Sequence, residues 1–127
     1  MDGVIREYDV KRVEIEILRF LAMSGERNTA ADIHRYLDLN KGQISKTLEH
    51  LCIMHYLESM PDKKDRRYMH YTLSEEAREL VRRINAIWDD MHQQIMSGIQ
   101  AEDRAIFNKV LNHAMANMER MIDEASE

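Results

Sequence analysis

The sequence predicts a mainly α-helical fold carrying a small β-hairpin wing: a winged helix-turn-helix domain followed by long C-terminal dimerisation helices. Three observations carry this expectation. Between Lys41 and Met54, the apolar residues Ile44, Leu48, Leu51 and Met54 recur at spacings of four, three and three, which places them on one side of a helix. Immediately after it, two short runs suited to strands, Tyr56 to Met60 and Tyr68 to Leu73, flank the charged tip Pro61-Asp62-Lys63-Lys64-Asp65-Arg66-Arg67. From Ser74 onward, two long amphipathic patterns carry more apolar surface than a winged domain of about 65 residues could cover.

Taken in order, residues 1 to 8 show no interpretable pattern. Asp9 reads as the N-cap of a helix with Val13, Ile17, Leu18 and Leu21 inward, ending near Ser24-Gly25. Thr29 precedes a short helix, with Asp32 three residues on to complete a capping arrangement and Ile33 and Leu37 facing inward. Asn40 then caps the Lys41 to Met54 helix, so that two short helices meet at a tight turn. After the hairpin, Ser74 followed by Glu75 and Glu76 starts a helix bearing Leu80, Ile84, Ile87, Trp88, Met91 and Ile95, which ends at Gly98. A last helix starts near Ala101 and aligns Phe107, Val110, Leu111, Ala114, Met118 and Met121 on one face. The chain is therefore expected to form a single domain over residues 1–127, with a winged helix-turn-helix part at 9–74 and a dimerisation part at 75–125.

Composition narrows the function. One proline and four glycines among 127 residues leave little room for a disordered linker. No run approaches the roughly 20 apolar residues needed to span a bilayer, and no signal-peptide pattern opens the chain, so a cytoplasmic protein without a membrane partner is expected. The net charge of -5 is unevenly spread. Lys41 to His70 contains six Lys or Arg against four acids, +2 for that stretch and -7 for the rest. A basic face on an acidic body suits a protein that docks one surface onto nucleic acid.

The candidate DNA-binding residues follow from these positions. Lys41, Gln43, Ser45, Lys46 and His50 lie opposite the aliphatic stripe and offer donors to phosphates and base edges. Lys63, Lys64, Asp65, Arg66 and Arg67 form the wing tip. A solvated charged hairpin is the plain alternative; the adjacent helix-turn-helix favours DNA. Cys52, beside the inward Leu51, reads as a buried inert thiol rather than a redox sensor. The six histidines show no close metal-ligand spacing, although His92 and His113 on the long helices could meet. The ten methionines read as flexible core filler, or as an adaptable apolar pocket for a ligand. No glycine-rich phosphate loop, metal triad or nucleophile with a base appears, so neither an enzyme nor a cofactor is expected.

In three places the residues resemble the MarR family of dimeric winged-helix transcription regulators. Asp62-Lys63-Lys64-Asp65-Arg66-Arg67, a strand, and Leu73-Ser74-Glu75-Glu76-Ala77 resemble its wing signature. Ile44 to Leu51 resembles its recognition helix, and Gly98-Ile99-Gln100-Ala101-Glu102-Asp103 its junction before the last helix. The resemblance implies that the Lys46 helix enters a major groove and Arg67 the neighbouring minor groove. A narrow minor groove attracts a guanidinium, and Asp65 can orient it by a charge-assisted hydrogen bond. It also implies a homodimer on a pseudo-palindromic operator, modulated by a small-molecule effector. Three departures stand out: only about eight residues precede Asp9, where the family has a longer helix that contributes to its dimer, so dimerisation is expected to lean on residues 78–122; His55 occupies a turn position where the family holds glycine; and Ser59 replaces a basic residue on the first wing strand. The rival expectation is a winged-helix protein-interaction module that no longer binds DNA.

Overall fold

The computed structural model describes residues 2–125. In chain order it has α1 (Asp2–Tyr8), α2 (Arg12–Met23), α3 (Ala30–Tyr36), α4 (Lys41–Ile53), β1 (Leu57–Pro61), β2 (Met69–Leu73), α5 (Glu75–Ile95) and α6 (Ala101–Ala125). The described residues divide into two compact units, the first ending at Ile87 and the second beginning at Trp88 within α5.

In the first unit the aliphatic stripes converge. Ile17 and Leu18 of α2, Ile33 of α3, Ile44 and Leu51 of α4, and Leu80 and Ile84 of α5 are all essentially inaccessible to solvent. They belong to one apolar cluster that also takes in Leu48, Tyr56, Leu57, Ala77 and Val81. Removing such area from water at about 25 cal/mol per Å² is what holds these short helices, since none would persist alone.

Local chemistry sets the boundaries. Thr29 Oγ1 accepts from the Asp32 backbone N–H at 3.2 Å, the cap expected from the sequence, and Asp32 Oδ2 returns the bond by accepting from the Thr29 N–H at 3.2 Å. Gly25 closes α2 with a left-handed φ of 63°. His34 Nδ1 donates to the Leu39 carbonyl at 3.0 Å, tying α3 to the turn before α4. The strands pair antiparallel from Leu57↔Leu73 to Pro61↔Met69. Tyr56 and Tyr68, expected as first strand residues, each lie one position outside.

The N-terminus differs from expectation. Residues 2–8 form a helix, and Asp9 is not an N-cap but a left-handed residue, φ 53°, in the turn that follows it. The cap position of α2 is Lys11, whose N–H is satisfied from inside the helix by Glu14 Oε1 at 2.9 Å. The end of α1 is fixed by a distant residue: Tyr56 Oη donates to the Tyr8 carbonyl at 2.7 Å. His55 has φ 64°, the left-handed backbone for which glycine is favoured.

In the second unit, α5 ends before a turn in which Gly98 has φ 82°. α6 follows for 25 residues, none of them buried. Phe107, Val110, Leu111, Met118 and Met121, predicted on one face, are all exposed, Val110 to 63% and Met118 to 60%.

Candidate nucleic-acid interface

Helix α4 is built from its cap outward. Asn40 Oδ1 accepts from the Gln43 N–H at 2.8 Å, and Gln43 Oε1 accepts from the Asn40 N–H at 3.3 Å. This reciprocal cap fixes the first turn of α4 and commits Gln43 Oε1 to the backbone. Burial of Ile44, Thr47, Leu48 and Leu51 on one side leaves Lys41, Gln43, Ser45 and Lys46 exposed together on the other. Four of the five predicted helix residues thus share a solvent-facing surface.

His50, the fifth, is placed differently. Its Nδ1 lies 2.6 Å from Oε2 of Glu14, a carboxylate only 2% exposed, while the ring itself is 44% exposed. One ring nitrogen is therefore tied to α2, and His50 fastens the end of α4 to the scaffold. Glu14, which the sequence reading did not single out, satisfies both Lys11 and His50 with its two oxygens.

At the wing tip, Asp62 acts as an organiser. Its Oδ2 accepts from the N–H groups of Lys64 and Asp65, both at 3.0 Å, and its own N–H donates to the Tyr68 carbonyl at 2.8 Å. Asp65 then grips Arg67: Nη2 donates to Oδ2 at 2.7 Å, Nε to Oδ1 at 3.0 Å, and the Arg67 N–H to Oδ1 at 3.1 Å. The Arg67 side chain is 84% exposed, so this pair adds little to stability, and its effect is to aim the guanidinium. The Arg67 bond holds the Asp65 carboxyl below the usual carboxylate range. Lys63, Lys64 and Arg66 are exposed on the same tip.

Behind the tip stands His70 on β2. Its Nε2 is 2.7 Å from Asp62 Oδ1 and its Nδ1 is 2.5 Å from Asn28 Oδ1, while the Tyr71 N–H donates to the Asn28 carbonyl at 2.9 Å. The His70 bond, followed by those from Asp65 and Lys64, lowers the Asp62 carboxyl pKa. An aspartate opening a charged turn is a recognisable local signal, and it could have marked Asp62. His70 and Asn28, 42 residues apart, carried no such signal.

Cys52 is half-buried and its thiol pKa is raised by burial, which fits the inert reading. Among the described residues no group of three or more His, Cys, Asp or Glu side chains is arranged to hold a metal ion. None of their helices is long and apolar enough to cross a membrane. An open cleft of about 500 Å³ in the first unit is lined by Glu7, Tyr8, Glu75, Glu76, Glu79 and Arg82.

Residues 10–77, more than half of the chain, match the model of the winged helix DNA-binding domain family. The chain belongs to that family. Solved structures share the winged helix fold, with its long C-terminal helices, at low sequence identity. A MepR variant from a multidrug-resistant S. aureus clinical isolate superposes with a TM-score of 0.76 at 20% identity, covering 92% of this chain and 85% of its own. A MarR protein from Peptoclostridium difficile gives 0.73 at 16% identity, covering 95% and 78%. Streptococcus pneumoniae FabT, crystallised in complex with DNA, gives 0.69 at 21% identity, covering 89% and 78%. No curated protein sequence matches the chain. The expected MarR-type winged helix fold is thus borne out.

Proposed function

We propose that the chain is a sequence-specific DNA-binding transcription regulator that grips a pseudo-palindromic operator as a homodimer, with affinity modulated by a small molecule. The observation that carries this reading is the joint presentation of two basic surfaces in a winged helix DNA-binding domain. Lys41, Gln43, Ser45 and Lys46 lie exposed on one helix face, and Arg67 is aimed from the tip by Asp65. The helix would enter a major groove, where Ser45 and Lys46 meet base edges and phosphates, and Arg67 the adjacent minor groove. That FabT was crystallised with DNA supports the same use of a shared fold.

Support for the dimer comes from the second unit. Trp88, Met91, Ile95, Ile106, Phe107, Val110, Leu111, Met115, Met118 and Met121 are all exposed, an unusual number of large apolar side chains for two helices to leave uncovered. Half-sites at the usual spacing on the operator would then be read by two helices about 34 Å apart, one turn of the duplex. A small molecule would act by changing that separation.

The test is binding of the purified chain to a random duplex pool at two salt concentrations, with sequencing of what is retained. An enriched inverted repeat is expected. Salt-sensitive retention without enrichment would make the chain a nonspecific binder. A folded dimer that retains nothing at either salt would refute the reading and favour a protein-interaction module. Val110→Glu should give a monomer by sedimentation, and an unchanged dimer would remove α6 from the interface.

A further inference from the structure

The geometry points to His70 as a positioning residue for Arg67: it bridges the wing tip to the α2–α3 loop and so holds the tip in the shape that presents the guanidinium. The inference rests on the DNA-binding reading above and extends it to residues that do not face the duplex.

Four linked observations support it. The loop end is held by local bonds on both sides: Asn28 precedes the Thr29 cap and follows a turn closed by the Ser24 Oγ bond to the Arg27 carbonyl at 2.8 Å. Asn28 engages β2 twice, through its carbonyl to Tyr71 and its side chain to His70. The other nitrogen of the His70 ring meets Asp62 Oδ1. The second oxygen of that carboxylate gathers the Lys64 and Asp65 N–H groups, and Asp65 holds Arg67 through both nitrogen atoms facing it. A two-stranded hairpin alone is marginally stable and free to twist. Here a continuous series of bonds joins its tip to the helical scaffold.

The bridge carries a chemical signature. Both ring nitrogens face oxygen atoms, an arrangement the imidazolium satisfies by donating twice. In a neutral ring one nitrogen must accept. The Asn28 amide can turn to supply a donor, whereas the Asp62 carboxylate cannot.

The experiment measures affinity of the full chain for its selected duplex. His70→Phe should weaken binding about five-fold, as for loss of one net hydrogen bond. His70→Gln, which keeps a donor and an acceptor, should restore most of it. The double variant with Arg67→Ala should bind no more weakly than Arg67→Ala alone, whereas the losses of His70→Phe and Lys46→Ala should multiply. In the protein without DNA, His70→Phe should speed amide exchange at Lys64 and Asp65. Parent-like binding by His70→Phe, no rescue by His70→Gln, or losses that multiply with Arg67→Ala would overturn the inference and leave the DNA-binding reading standing. A parent that binds no duplex would overturn both, while the exchange rates would still report whether the bridge orders the tip.

Discussion

Replacing Glu14 with alanine should cost about 3 kcal/mol of folding stability, and the structure apportions that cost. The Lys11 N–H loses its acceptor at 2.9 Å, and loss of a helix cap costs about 1 kcal/mol. His50 Nδ1 loses a partner at 2.6 Å; a bond to a charged group contributes about 1.5–3 kcal/mol, and the lower end applies because the ring is 44% exposed and water can replace the carboxylate. Removing the side chain from a site only 2% exposed adds a cavity contribution of up to about 1 kcal/mol. Against a total stability of about 5–15 kcal/mol this is a large fraction. Glu14→Gln keeps an acceptor for Lys11 and should cost about 1 kcal/mol. Glu16→Ala, on the exposed side of the same helix, should stay within about 0.5 kcal/mol of the parent. Urea unfolding at one fixed protein concentration measures all three, because a dimer's midpoint shifts with concentration. A Glu14→Ala midpoint equal to that of Glu16→Ala would refute the reasoning. It would show that desolvating the carboxylate costs as much as its two bonds return.

Three other outcomes follow from local geometry. His55→Gly should stabilise the chain by about 0.5–1 kcal/mol, because φ is already 64° there and a side chain adds strain; a lower melting temperature would count against it. Asn40→Ala should cost about 1 kcal/mol and free the Gln43 side chain from the backbone, readable as loss of Gln43 amide protection; unchanged exchange would contradict the cap. Acid should loosen the wing only at very low pH. The Asp62 carboxyl pKa is depressed by His70 and by two backbone N–H groups, so its contribution is fully present above the ordinary value of 3.8 and is lost as pH falls through the lower folded value. Protection of the Lys64 and Asp65 amides should therefore survive to about pH 4 and fail below it; loss nearer pH 5 would refute the assignment.

Three helix caps set by neighbours within four positions were displayed by the sequence, whereas the equally local role of Asp62 was not. Thr29 with Asp32, Asn40 with Gln43, and Ser74, whose Oγ accepts from the Ala77 N–H at 3.2 Å, are all caps that a short window reveals. The stripe through Ile44, Leu48 and Leu51 likewise announced both the buried side of α4 and, by exclusion, its polar face. The α1 helix was invisible for the opposite reason. Seven residues cannot hold a helix by propensity, and this one is held by burial of Val4 and by Tyr56, 48 residues away. Asp9 misled because an aspartate serves equally as a cap and in a left-handed turn, and only the surroundings decide.

The same distinction separates the two kinds of site residue. A side chain that meets a duplex must reach solvent, so Lys46 and Arg67 could be read from helical phase and from their place at a hairpin tip. A side chain that holds such a residue in place works through a partner supplied by folding. His50 finds Glu14 at a separation of 36 and His70 finds Asn28 at 42. Glu14 did leave a trace: it sits three residues before Ile17 and four before Leu18, on the phase of the buried stripe, where an acid demands a partner. Searching each buried stripe for a charged residue in phase would have pointed to Glu14, and from Glu14 to a donor on the helix packed against it. His70 left no such trace, because a two-stranded wing exposes both its faces in part and alternation there does not separate a holding residue from a surface one.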